Sequence, residues 1–415
     1  MSRRFLSIAL IASLISLIAT TAACRMQPGS GANDAARSYI FAWTADEDTL
    51  DSDFLAVVDA DPDSPSYGDV VRTVPVRAAA TMAHHTEHVM PTRGRLFANG
   101  FTAGQTFMFD LSDPLTPSLF GSFTIARGLT YPHSYERLPS GNVLATFQTE
   151  GEGNARTGGL AELAPDGEVV RISSGADASV DDPVRPYSLT VLPDLDRVVS
   201  TSADMRGEST SRAVQVWRLS DLSLIKTILL PLGERADEPW LVGEPRVLAD
   251  GRSVLVGTFS CGLYLIEGLN GMDPGARLVH TFPFTKAPEC ALAARIDNYW
   301  VQTVPSINGL ISLDITDPSN PTEVDRLEFG DGMWPHWISP DSETGARIVV
   351  TGYRGMKNRV MIVNFDPGTG ELSLDTAFGD AGQGADFSRN EWPHGNTGSG
   401  IPHGAVFSRA AQQRN

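Results

Sequence analysis

Positive charge is in short supply in this 415-residue chain, with 32 Lys and Arg against 50 Asp and Glu and a formal net charge of −18. A surface of that sign argues against nucleic acid or an anionic membrane face as partner. Helical periodicity is missing from every long window, which argues against a helical architecture. No glycine-rich phosphate loop and no G-x-S-x-G nucleophile elbow occur, and no carboxylate pair stands out as a glycosidase dyad. Cysteine is nearly absent too: Cys24, Cys261 and Cys290 are all there is. Histidine is scarce, with eight residues, and their positions carry most of the functional signal.

Long apolar runs are lacking except at the start. "MSRRFLSIALIASLISLIATTAAC" has basic residues (Arg3, Arg4), an apolar stretch from Phe5 to Ala19 and small residues before Cys24. This reads as an export signal over 1–24, too short and wrongly flanked for a membrane span. Two processing routes are open: cleavage among Thr20 to Ala23, or lipidation of Cys24, which would tether the protein to a membrane through that residue alone. Residues 25–37, rich in Gly, Ser and Asn, read as a flexible tether, and 409–415 as a disordered tail. The expected location is the periplasm or cell envelope. In such an oxidising compartment Cys261 and Cys290 are expected to pair as a disulfide.

The chain does contain many short strand-like runs separated by turn residues. An aspartate turn recurs at Asp61, Asp113, Asp166, Asp221, Asp273, Asp317 and Asp366, at spacings of 44 to 55 residues. Aspartate with Pro or Gly closes tight turns through its local backbone bonds, so these residues join strands and carry no chemistry. Between them the chain reads as four strands, for example "YPHSYERL", "NVLATFQ", "GGLAEL" and "VVRISS". Seven such units predict an all-β fold, a seven-bladed β-propeller over 38–408. "SYIFAWT" and "DFLAVVD" supply outer strands and "IPHGAVFS" the inner strand of one blade, which closes the ring.

First strands of propeller blades line the central channel. Here they open with "MAHHTEHVM", "YPHSYERL", "RPYSLTVL", "EPRVLA", "PECALAA", "WPHWIS" and "IPHGAVF". The residues expected at the channel mouth are then His84, His133, Tyr187, Arg246 (or Glu244), Glu289, His336 and His403. Numbering blades from the His84 strand, the histidines belong to blades 1, 2, 6 and 7, neighbours around the closed ring. Proline before three of them holds the chain extended as it enters the strand. Four imidazoles in one arc repel if protonated and need donors or a metal if neutral, so a metal site is expected. His85 joins it only if the chain bends, because adjacent strand residues face opposite ways. His88 is a candidate outer partner, His280 a surface residue, and His394 part of a lid formed by the long segment before His403. An all-imidazole set suits copper, zinc, iron or nickel. Tyr187, Arg246 and Glu289, on the opposite arc, are candidates for orienting substrate or moving protons. Cys261 and Cys290 fall on the same face in blades 4 and 5, consistent with the bridge.

"DFLAVVDADPDSPSYGDVV" (Asp53 to Val71) resembles the first-blade signature of the selenium-binding protein family, which includes copper-dependent methanethiol oxidases. "HH" at 84–85, "PHSYERLPSGNVLATF" and "PH" at 402–403 resemble further elements of that family. The resemblance implies a seven-bladed propeller with a histidine-built copper centre that oxidises methanethiol with oxygen and water to formaldehyde, hydrogen sulfide and hydrogen peroxide. It carries over His84, His85, His133 and His403 as copper ligands, while His336 comes from the internal repeat. The family's N-terminal cysteine motif, associated with selenium binding, is absent. The alternative from another class is a non-catalytic propeller lipoprotein that holds a metal or a partner.

Overall fold

The computed structural model describes residues 38–153, 156–207, 211–283 and 289–409. The segments read as an export signal and a tether, with Cys24, lie outside the described residues, as do residues 410–415 of the expected tail. Among the described residues no helix is long and apolar enough to cross a membrane.

Seven antiparallel sheets form the propeller. Blade 1 runs from its inner strand Ala83–Thr86 through Arg95–Gly100 and Gln105–Asp110 to Ser118–Phe123. Blades 2 to 6 begin with Leu129–Arg137, Pro186–Leu192, Val242–Val247, Ala293–Ile296 and Met333–Pro340, and each continues outward in chain order. Blade 7 is composite. Its inner strand Gly400–Phe407 pairs with Tyr39–Asp46, followed outward by Ser52–Asp59 and Val70–Ala79. Antiparallel pairing of Ile40 with Phe407 and of Asp46 with Gly400 closes the ring. All seven aspartate turns join the third strand of a blade to the fourth.

Burial follows the layering. Second and third strands are almost wholly buried, as in the runs Leu55–Val58 and Ile348–Val350, because both of their faces pack on neighbouring blades. Outermost strands alternate exposed and half-buried residues, as in Val169–Ser174, which marks one wet face. Large indoles link blades. Trp43 of blade 7 donates to the Asn99 carbonyl of blade 1 at 2.8 Å, and Trp337 of blade 6 to the Ala405 carbonyl of blade 7 at 2.7 Å.

Cys261 and Cys290 form a disulfide with a Cα–Cα distance of 5.1 Å and a sequence separation of 29. It ties the turn after the second strand of blade 4 to the approach to blade 5. Closing a loop of that length restricts the unfolded chain by about 3–4 kcal/mol. Replacing both cysteines by serine is therefore expected to lower the unfolding free energy by about that amount in urea titrations. An unchanged midpoint would show that the bridge adds nothing.

Candidate metal centre

The residues at the channel mouth sit on β-bulges. In blade 1, His84 and His85 together oppose Asn99, since Ala83 pairs with Gly100 and Thr86 with Ala98. His133 and Ser134 oppose Thr146 in blade 2, and Tyr187 and Ser188 oppose Thr201 in blade 3. Gly243 and Glu244 form the bulge of blade 4, His336 that of blade 6, and His403 with Gly404 that of blade 7. Two residues against one turns side chains away from strict alternation and re-aims them. That is how His84 and His85, adjacent in sequence, stack with ring centroids 4.3 Å apart and planes 19° apart.

Bulging frees backbone groups, and polar residues of the second strands take them up. The His85 amide donates to Asn99 Oδ1 (2.6 Å), that of Ser134 to Thr146 Oγ1 (2.9 Å) and that of Ser188 to Thr201 Oγ1 (3.2 Å). Polar residues of these strands also reach into the next blade. Asn99 donates to the Pro132 carbonyl, Thr146 to that of Tyr187, Thr303 to that of His336 and Thr351 to that of His403. Bulges are thus held both from within their own blade and from the blade before. Gly404 is required beside His403: a Cβ there would stand 2.7 Å from the Thr86 nitrogen and 2.8 Å from the His84 carbonyl oxygen.

All five candidate ligands come together. His84 lies 4.2 Å from His403 and 5.0 Å from His133, centroid to centroid; His85 lies 4.3 Å from His133, and His336 4.9 Å from His403. His133 Nδ1 donates to the Tyr187 carbonyl at 2.8 Å, and His403 Nδ1 to the His84 carbonyl at 2.9 Å. A ring that donates from Nδ1 presents a lone pair at Nε2. The Nε2 atoms of His133, His336 and His403 and Nδ1 of His84 are buried with no hydrogen-bond partner. Such atoms are costly unless something accepts their lone pairs, and a soft or borderline metal ion does so. The donor set therefore fits a metal. Burial and neighbouring imidazoles push His84, His85 and His403 well below the usual histidine range. Burial takes His133 and His336 down to about 4. All five are neutral near pH 7, the form that ligates.

An anion stands against this group. Glu244 is buried, with Oε1 4.0 Å from His85 Nδ1 and without a hydrogen bond. Its Oε2 accepts from Ser188 Oγ (2.5 Å) and Arg246 (3.0 Å) and lies 3.4 Å from His88 Nε2. Burial alone would raise this carboxyl, but His88, Arg246 and Ser188 outweigh it and hold it below the usual range. Of the two candidates for blade 4, Glu244 is the one beside the histidines; Arg246, two residues on along the same strand, pairs with it. His88 stacks on Trp337 (4.3 Å, 2°) next to both, as an outer partner would.

Tyr187 is at the channel mouth but against the histidines rather than across from them, its ring 4.1 Å from that of His133 and its hydroxyl 3.4 Å from His85 Nε2. Burial raises its phenol well above the ordinary value, so it stays a donor. Glu289 is not brought into the group. The inner strand of blade 5 begins at Ala293, and it is Leu292 whose main chain pairs with His336 and Thr303. The register of Ala293–Ile296 itself is regular, and the doubled pair of blade 5 lies just before it: the Ala291 amide donates to the Thr303 carbonyl and the Thr303 amide to that of Leu292. His394 does not cover the site either. Its Nδ1 meets Thr73 Oγ1 at 2.7 Å and its ring packs on Phe54, both in outer strands of blade 7. The segment before His403 instead adds Ala385–Asp386 to the edge of blade 6 and buries Trp392 against Phe54 and Phe387. His280 is half-buried in the outer strand of blade 4.

Aromatic rings wall the site: Phe101 beside His84 and His133, Phe259 beside Tyr187 and His336, and Tyr353 beside His336 and His403. Counting strands from the sequence finds none of these, nor Asn99, Thr146, Thr201 and Thr351. A signal exists for Asn99, Thr146 and Thr351, each a polar residue next to a run of apolar ones in its second strand, but not for Thr201, whose strand RVVSTS is mostly polar.

No protein-family model matches the chain. Methanethiol oxidase of a Hyphomicrobium species is 25% identical over 319 residues, covering 70% of this chain and 71% of that protein. Selenium-binding protein 2 of Arabidopsis thaliana is 28% identical over 165 residues, 36% of this chain but only 33% of the plant protein. Among solved structures, a hypothetical selenium-binding protein from Sulfolobus tokodaii superposes with a TM-score of 0.71 at 16% identity, covering 90% of this chain and 93% of that one. A periplasmic gluconolactonase from Pseudomonas aeruginosa reaches 0.61 at 14% identity, covering 90% and 99%, and shares the fold alone. The two sequence relatives and the shared propeller lead to one conclusion: the chain is distantly similar to the selenium-binding proteins and methanethiol oxidases.

Proposed function

We propose that this is an exported, copper-dependent oxidase of a small thiol, methanethiol or a close analogue, with oxygen as electron acceptor. The observation that carries the reading is the convergence of five neutral imidazoles, four of them with an unpartnered buried nitrogen, at one channel mouth. Copper is preferred to zinc because the reaction moves electrons and zinc has no redox chemistry. Bound by His84, His85, His133, His336 and His403, copper would supply a one-electron acceptor and donor next to the thiol. The aromatic walls suit a small apolar sulfur compound through sulfur–ring contacts. Tyr187, with its hydroxyl facing His85, is placed to donate a hydrogen bond to a bound molecule, and Arg246 keeps Glu244 ionised beside the histidines. Export is supported by residues 1–24 and by the buried disulfide, which persists in an oxidising compartment; lipidation of Cys24 would leave the propeller at a membrane surface.

The experiment is oxygen uptake by copper-loaded protein given methanethiol, with formaldehyde, sulfide and peroxide measured alongside. Turnover that disappears in metal-stripped protein is expected. Copper-loaded protein that consumes no oxygen with any small thiol would remove the oxidase and leave a metal-binding propeller. Glu244→Gln keeps the shape of the side chain and removes its charge. Loss of such an outer partner is expected to weaken metal binding about 10–100-fold, read by competition with a chelator; an unchanged affinity would make Glu244 a structural residue only.

A further inference from the structure

The five imidazoles do not converge on a single point. Their candidate donor atoms fall into two sets of three, His84–His85–His133 and His84–His336–His403, with the atoms of each set within 4.8 Å of one another. An ion about 2.0–2.1 Å from each nitrogen spans donors no more than about 4.2 Å apart. Each set is within a small adjustment of that span. Among the described residues no group of four or five donors is as compact. His84 belongs to both sets, its ring 4.3 Å from that of His85 and 4.2 Å from that of His403, which are 5.6 Å from each other.

We propose that the centre is dinuclear. One transition-metal ion is held by His85 and His133, a second by His336 and His403, with His84 between the two. Each position has an unpartnered nitrogen to offer: His133 Nε2 for the first, His336 Nε2 and His403 Nε2 for the second, with His84 Nδ1 also unpartnered. A ring nitrogen of His85 would exchange its contact with Ser134 Oγ or the Tyr187 hydroxyl for the ion. Two adjacent cations in a buried pocket also need a nearby anion. Glu244 supplies it, with Oε1 free of hydrogen bonds and 4.0 Å from His85. The inference rests on the metal-binding part of the proposed function but not on the thiol.

The test is metal stoichiometry. Purified, chelator-stripped protein is loaded with Cu(II) or, separately, Zn(II), desalted, and assayed for metal per chain, with circular dichroism confirming that each variant is folded. Two ions per chain are expected, falling to one in His133→Ala and to one in His336→Ala. A single ion that both substitutions abolish would overturn the proposal in favour of one shared site. Two ions of which neither substitution removes one would mark adventitious binding and overturn it as well. If no ion is retained, this inference and the metal reading fall together. Two ions without thiol oxidation would support the dinuclear centre while removing the oxidase.

Discussion

His84→Ala is expected to strip the protein of metal and of any metal-dependent turnover, while leaving the propeller folded. Its ring touches those of His85, His133 and His403 and is common to both donor sets. Outer partners of a metal ligand are worth about 10–100-fold in affinity, so a ligand shared by both sets is worth more. The stability of the metal-free protein, by contrast, should change little. Losing the ring removes packing, but it also removes a buried nitrogen that has no partner. A histidine kept for structural reasons would behave in the opposite way, losing stability without touching metal content. Metal analysis and urea unfolding of the same preparation separate the two; full metal retention by the variant would contradict the site.

Acid should unfold the metal-free protein far more readily than the metal-loaded one. His133 and His336 take up a proton only near pH 4 in the folded state, against about 6.5 when unfolded, because burial disfavours the charged ring. Between those values the unfolded chain binds more protons, so stability rises with pH across that window and is lost as pH falls from about 6.5 to about 4. A displacement of that size corresponds to about 3 kcal/mol for each of the two. His84, His85 and His403 are pushed the same way, and a domain has only about 5–15 kcal/mol in total. Bound metal opposes protonation of its ligands and shifts the loss to lower pH. Unfolding midpoints in urea at pH 7.5 and pH 4.5, with and without metal, test this. Equal midpoints for the metal-free protein at both values would mean that the imidazoles are not buried together.

The ring is readable from the amino-acid order because its punctuation is chemical. Asp61, Asp113 and their five counterparts mark the turn between third and fourth strands, and proline ahead of His133, His336 and His403 marks strand entry. Counting blades from those marks places the four histidine-bearing strands side by side. Strand alternation, however, hides the aim of each side chain. Under that rule His84 and His85 face opposite ways; the bulge opposite Asn99 puts both in the pocket. Register in blade 4 is open between Glu244 and Arg246 for the same reason, since a bulge at Gly243 and Glu244 shifts the count. Glu289 departs from the expected position because the residues doubled against Thr303 in blade 5 are Ala291 and Leu292, further along the chain. His394 departs from it because the segment carrying it pairs with the edge of blade 6 and packs on blade 7, contacts that no local pattern announces. Asn99, Thr146 and Thr351, polar residues beside apolar runs, are the trace of the bulges left in the amino-acid order.

Diffraction from crystals of the copper-loaded protein, recorded on either side of the copper absorption edge, bears most directly on the centre. Anomalous density is expected between the imidazoles of His84, His85, His133, His336 and His403. Copper bound elsewhere, or no density among those rings in protein shown to contain copper, would contradict it.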